Sequence, residues 1–138
     1  MYQLAMAQHE KKRLEKSFRD EKKRTLLEII DILDAFERVF EAIRDKQDLV
    51  NRQMKKWVGN FRTVGRLLEN LLYEEGVQAM ENLEDGFDPK WHKAIDTISD
   101  PGKPEGTIVE QAQKGYVWQN AVLKKAEVIV ILNDNGDT

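Results

Sequence analysis

The sequence predicts an α+β chain in which a long helix and a helical hairpin form a dimeric four-helix bundle, followed by a small C-terminal β-domain. Three observations lead there. Tyr2 to Glu75 contains no proline, whereas all three prolines and most of the glycines lie from Gly76 onward. Leu26, Leu33 and Phe40 recur every seven residues, with Ile29, Phe36 and Ile43 offset by three. Together they form an a/d seam. Glu127 to Leu132 is almost entirely β-branched and apolar, the strongest strand signal in the chain. The expected division is 1–75 for the helical dimerisation bundle, 76–132 for the β-domain and 133–138 for a disordered tail.

A second seam follows the first. Val50, Trp57, Val64 and Leu71 recur every seven residues, joined by Met54, Phe61 and Leu68. Between the seams, Arg44 to Asp48 is a polar connector, so the two helices form an antiparallel hairpin. Such a hairpin buries one seam and leaves Ile30, Phe36, Trp57, Phe61, Leu67 and Leu72 to be covered. Leaving them in water would forgo ~1.5–3 kcal/mol each. Pairing two hairpins resolves this, and a homodimer is expected. Its interface is assigned to Leu26, Ile29, Leu33, Phe36, Phe40, Trp57, Phe61, Val64, Leu68 and Leu71.

Before Arg24 the first seam turns polar, through Ala5, Lys12 and Arg19 on one position and Gln8, Glu15 and Lys22 on the other. Good helix formers and Glu-to-Lys/Arg spacings persist. A projecting, solvated helix is expected there, fraying before the bundle melts. After Gly76 the candidate strands are Val77–Met80, Ala94–Ile98, Ile108–Ala112, Tyr116–Trp118, Ala121–Leu123 and Glu127–Leu132. Asp100 to Gly106, with two prolines and two glycines, is a loop.

Composition excludes several chemistries. The chain has 138 residues, no cysteine and two histidines, His9 and His92, far apart in sequence. Disulfides, thiol catalysis and a two-histidine zinc helix are therefore excluded. Its two serines, Ser17 and Ser99, have no base nearby in sequence, and no glycine-rich phosphate loop is present. No enzyme activity, cofactor or metal is expected. The net charge of −3 does not favour nucleic acid. Lys11-Lys12-Arg13 and Lys22-Lys23-Arg24 are interleaved with acidic residues, so they read as a solvated helix face, with contact to nucleic acid or an acidic partner as the alternative. No apolar run reaches membrane-spanning length, and the opening residues lack a signal-peptide layout. A soluble cytoplasmic protein is expected.

Gly86-Phe87-Asp88-Pro89-Lys90-Trp91-His92 is the most distinctive local string. Gly86 permits a sharp turn, Pro89 fixes its own φ, and His92 opens a strand, where a hydrogen bond to the loop is its expected role.

The ordered set of motifs resembles the GrpE family, the nucleotide exchange factors of DnaK-type heat-shock chaperones. The matching pieces are Ile32-Leu33-Asp34-Ala35-Phe36-Glu37-Arg38, Glu75-Gly76-Val77, Phe87-Asp88-Pro89 with His92-Lys93-Ala94-Ile95, Gln113-Lys114-Gly115-Tyr116, Val122-Leu123 and Ala126-Glu127-Val128-Ile129-Val130. The resemblance implies a homodimer whose β-domain binds the chaperone's ATPase domain and promotes ADP release. It assigns that contact to Phe87, Asp88, Pro89, Lys114, Gly115, Tyr116, Val128 and Val130. Gly115 and Pro89 are expected to shape the face, and Phe87, Lys114 and Val130 to touch the partner. On the helix, Asp34, Glu37 and Arg38 match the family and suit the wet side of the bundle.

This chain departs from the family at several points. Asn120-Ala121 stands where Gly-Arg is usual, and that arginine is a usual chaperone contact. Lys124-Lys125 replaces Arg-Pro, Asp31 a proline, and Ala35 an Asn or Ser. The family's basic helix motif is missing at its ungapped position, Ala5 to His9, while Lys11-Lys12-Arg13 follows about four residues later. A dimeric scaffold that has lost exchange is the alternative reading. The family also suggests that the weak early seam of the long helix unzips on heating.

Overall fold

A computed structural model describes residues 2–81 and 83–133. The chain divides into two compact units, 1–69 and 70–138. The segment 134–138, expected to be disordered, lies outside the described residues.

Helix α1 (Tyr2–Arg44) is 43 residues long, a rod of about 65 Å at 1.5 Å per residue. From Tyr2 to Thr25 every side chain is exposed. Arg13 pairs with Glu10 one turn back, and its guanidinium holds the Glu10 carboxyl below the usual carboxylate range. The chain leaves α1 through a 3-10 turn, Gln47–Leu49, and enters α2 (Arg52–Glu74). Asn51 caps α2: its Oδ1 accepts from Met54 N–H at 2.9 Å, satisfying a first-turn donor that has no partner within the helix.

Helix α2 folds back on α1. Phe36 and Phe61 lie 6.3 Å apart, and the Arg62 guanidinium sits 4.8 Å above the Phe40 ring. A side chain at Gly65 would begin 3.6 Å from the Phe40 ring edge.

Within a single chain the two expected seams are covered unevenly. On α1 the buried residues are Leu26, Ile30, Leu33, Asp34 and Phe40, while Ile29, Phe36 and Ile43 are only half-buried. A straight helix repeats every 3.6 residues, so Ile30, four after Leu26 and three before Leu33, shares their face. Ile30 (0% exposed) and Leu72 (2%) therefore need no second chain to cover them. Asp34, expected on the wet side, is 6% exposed. On α2 the covered residues are Val58, Gly65, Leu68 and Leu72, whereas Trp57, Val64 and Leu71 point into solvent.

The second unit holds six strands: β1 (Val77–Ala79), β2 (His92–Ile98), β3 (Ile108–Gln113), β4 (Tyr116–Trp118), β5 (Ala121–Lys124) and β6 (Ala126–Ile131). Gly76, at φ 86°, ends α2: its N–H donates to Tyr73 O at 3.0 Å, and only glycine adopts that φ at no steric cost. One sheet runs β1-β4-β5, antiparallel throughout. The other runs β2-β6-β3, with β2 parallel and β3 antiparallel to β6. The chain passes between the sheets at Lys125. Ala126, Val128 and Val130 form a core, with Met80, Leu83, Phe87 and Ile108 packed against it. Trp118 is also buried, and its indole N–H donates to Glu75 O at 3.2 Å, so burial orphans no donor. Asn133 is tied into this unit. Its Oδ1 accepts from Asp100 N–H at 2.8 Å, and its amide donates to Lys103 O at 3.1 Å, pinning the proline-containing loop.

The β4–β5 hairpin turns at Gln119 (φ 52°) and Asn120 (φ 62°), between the paired residues Trp118 and Ala121. Two consecutive positive φ values define a type I′ turn, which Asn-Gly satisfies best. The double change Gln119→Asn with Asn120→Gly should stabilise this unit by about 1 kcal/mol. A thermal melt that does not rise would count against the strain assigned to Gln119.

Candidate functional site

The string from Gly86 to His92 becomes a loop braced from both sides. Gly86 has φ 88°, and a side chain there would begin 3.2 Å from Gly106 O. Phe87 N–H donates to that same carbonyl at 2.8 Å, and Gly106 N–H donates to Ile131 O at 2.9 Å. The loop is thus tied through Gly106 to the end of β6. Asp88 folds its carboxylate forward to accept from Lys90 N–H at 2.9 Å, while its carbonyl accepts from Trp91 and His92 N–H at 3.0 and 2.8 Å.

His92 closes the loop. It is 5% exposed, and its Nδ1 accepts from Asp88 N–H at 2.9 Å. That bond needs a lone pair on Nδ1, so the ring carries its hydrogen on Nε2. The Phe87 ring lies 6.0 Å from the imidazole. His92 therefore has the loop-bracing role that its position suggested.

The assigned contact residues separate into two groups. Asp88, Pro89 and Lys114 are exposed and Phe87 is half-buried. Lys114 stands on the short β3–β4 connection, and the loop and this connection belong to the same unit. Tyr116 (4% exposed), Val128 (0%) and Val130 (7%) are buried, and Gly115 is covered as well. Val128 and Val130 belong to the core of this unit in the single chain, while Asp88, Pro89 and Lys114 offer their side chains at its surface. Strand alternation puts every second residue on one side, and here that side is the core. Gly115 fixes the local packing here, since Met80 N–H donates to its carbonyl at 2.9 Å and a side chain on it would begin 2.5 Å from Ala126 N.

Beside the loop lies a groove of about 590 Å³. Its walls are Met80, Phe87, Pro89, Trp91, His92 and Val117, and Glu81, Asp85 and Asp88 line it as well. Met80, Trp91 and Val117 carry no signal in the sequence that places them together, because they come from a strand end, a loop and a mid-strand position. Ala121 is exposed after the type I′ turn, an uncharged residue on the surface.

On the helices, Leu26, Leu33 and Phe40 are already buried within one chain, and Ile29, Phe36 and Leu68 are half-buried. Trp57 (59% exposed), Phe61 (51%), Val64 (41%) and Leu71 (41%) leave large apolar surfaces in water. A further exposed heptad row, Leu4, Phe18, Ile32 and Val39, runs along α1. Lys11 and Thr25 interrupt it in sequence, so its period is masked. Glu37 is half-buried and Arg38 exposed. No group of acidic or histidine side chains suited to a metal occurs among the described residues. No described helix is long and apolar enough to cross a membrane.

The family model for GrpE matches residues 2–131. Protein GrpE of Zymomonas mobilis subsp. mobilis is 32% identical across the whole of this chain and 74% of its own length. Protein GrpE of Brachyspira hyodysenteriae is 31% identical over 94% of this chain and 66% of its own length. Protein GrpE of Geobacillus kaustophilus is 35% identical over 75% of this chain, and the match spans 46% of that relative. The match therefore spans from about half to three quarters of these relatives. The family match covers both units, from the long helix and its hairpin to the braced Phe87–Pro89 loop and the last strand, and the chain belongs to the GrpE family.

Proposed function

We propose that this chain is a co-chaperone: a homodimeric nucleotide exchange factor that binds the ATPase domain of a DnaK-type chaperone and promotes ADP release in the cytoplasm. Family membership carries the reading. The exposed Asp88 and Pro89 beside Phe87, and the exposed Lys114 in the same unit, on a loop and a connection held by backbone hydrogen bonds, support it. No bond is made or broken in this role. A factor that binds the open nucleotide cleft more tightly than the closed one lowers ADP affinity, and linkage requires ADP to lower the factor's affinity by the same ratio. A rigid face suits that work, because a face that yields loses its preference between the two states.

Dimerisation rests on the apolar surface of the helical unit. Met54, Trp57, Phe61 and Val64 on α2, and Ile32 and Val39 on α1, are each between 41% and 59% exposed. An apolar surface of this kind on a soluble chain is normally covered by a partner. A second copy, meeting the same surface through a two-fold axis, covers it without another gene product.

The direct test is stopped-flow release of fluorescent ADP from a DnaK-type chaperone. Wild-type protein should accelerate release. Lys114→Glu should reduce the acceleration by about tenfold, the factor that ~1.4 kcal/mol of lost contact represents, while leaving the dimer intact. Unchanged exchange in that variant removes Lys114 from the face. No acceleration at saturating wild-type protein favours the second reading, a GrpE-like scaffold without exchange, for which the uncharged Ala121 is the motive.

A further inference from the structure

The geometry points to the groove beside the Phe87–Pro89 loop as a pocket for a short basic-and-apolar peptide segment of the partner: an apolar side chain flanked by Lys or Arg, with a backbone carbonyl that accepts from His92 Nε2–H. This rests on the reading that the loop belongs to a partner-binding face, and it states the chemistry of what that face takes.

Three observations carry it. His92 lines the groove and is 5% exposed, with its Nδ1 occupied by Asp88 N–H. The remaining ring hydrogen, on Nε2, has no protein acceptor among the described residues. A buried donor without a partner is uncommon and marks a place where an external acceptor completes the arrangement. The walls supply apolar contact through Met80, Phe87, Trp91 and Val117. At about 590 Å³ the groove falls within the ~300–1,000 Å³ of pockets that enclose drug-sized molecules, the scale of a short peptide.

Charge then selects the occupant. The ionisable groups lining the groove, besides His92, are Glu81, Asp85 and Asp88, all acidic. An acidic segment would meet like charge on this lining. A segment with Lys or Arg beside its apolar anchor meets opposite charge. The aromatic wall tolerates a cation: Lys90 Nζ already lies 5.1 Å from the centre of the Trp91 ring.

The experiment uses the full chain and a defined probe, the acetylated and amidated tripeptide Arg-Leu-Arg, with Glu-Leu-Glu as comparator. Nitrogen-detected NMR follows the His92 Nε2 and Trp91 indole signals during titration. Arg-Leu-Arg should shift both signals saturably, and Glu-Leu-Glu should shift neither. Glu81→Lys, at an exposed position, should weaken Arg-Leu-Arg binding about tenfold or more through like-charge repulsion. His92→Asn keeps an acceptor for Asp88 N–H but lacks the Nε2–H, and should weaken binding about fivefold, the scale of one lost hydrogen bond. Absent shifts at millimolar peptide, equal shifts with both peptides, or equal shifts with butylguanidinium alone would each overturn the peptide assignment. The ADP-release assay separates this from the exchange reading. If Lys114→Glu impairs exchange while Glu81→Lys and His92→Asn exchange like wild type, the groove proposal fails and the exchange reading stands. If wild-type protein accelerates no release, the exchange reading fails and the titration alone decides the groove.

Discussion

Leu33→Asp should unfold the helical hairpin, and Trp57→Asp should not. Leu33 is 2% exposed and lies on the buried face of α1 with Leu26, Ile30 and Phe40. A carboxylate placed there is removed from water with no cation designed to meet it, at a cost of about 3–5 kcal/mol. That is a large share of the ~5–15 kcal/mol that holds a typical domain folded. Trp57 is 59% exposed in the single chain, so Trp57→Asp leaves hairpin packing in place and charges only the surface assigned to the second copy. Far-ultraviolet circular dichroism and sedimentation velocity read the two effects separately. The expected result is lost helicity for Leu33→Asp, and retained helicity with a monomer-sized particle for Trp57→Asp. A dimeric Trp57→Asp protein would remove α2 from the interface, and a Leu33→Asp protein that melts like wild type would contradict the buried face.

Gly115→Ala should be the most damaging small substitution in the β-unit. The added methyl would begin 2.5 Å from Ala126 N, 2.6 Å from Met80 Sδ and 3.0 Å from Ala126 Cα. The methionine can swing aside, but the Ala126 backbone cannot easily move, since its N–H donates to Trp91 O at 3.1 Å and its strand pairs with β2 from His92 onward. Overpacking of this kind costs about 1–3 kcal/mol, and more where the obstacle is backbone. In a unit of this size about 3 kcal/mol lowers the melting temperature by roughly 15 °C. The same change shifts Lys114, the adjacent residue, so exchange should fall along with stability. A variant melting within a few degrees of wild type would show that the close approach relaxes freely.

Much of the architecture was legible before any coordinates. The proline-free stretch against the glycine- and proline-bearing remainder marks where helix gives way to sheet, and Gly76 stops α2 because a positive φ is cheap there. The six strand segments follow from β-branched runs bounded by turn residues. The Phe87-Asp88-Pro89 string declared a braced turn, because each residue type does one backbone job. The inward row Leu26, Leu33 and Phe40 was readable from its period alone. Its companion row, Ile29, Phe36 and Ile43, is half-buried in the single chain, and the fully buried Ile30 beside it was not readable, since over fifteen residues a period of 3.5 and one of 3.6 select nearly the same side chains. That Tyr116, Val128 and Val130 are buried in the single chain was not readable, because strand alternation states that two faces exist without stating which one looks inward.

The sequence by itself determined the elements, their order, the family and the loop that carries the candidate face. These depend on local quantities: backbone preference, residue period and the chemistry of single side chains. Only the tertiary structure decided which helix faces a single chain leaves uncovered, that a side chain at Gly115 would meet the Ala126 backbone, and that His92 Nδ1 is taken by Asp88 N–H beside an acidic groove. Those outcomes depend on distances between residues far apart in the chain, and such distances are set by packing of the whole fold.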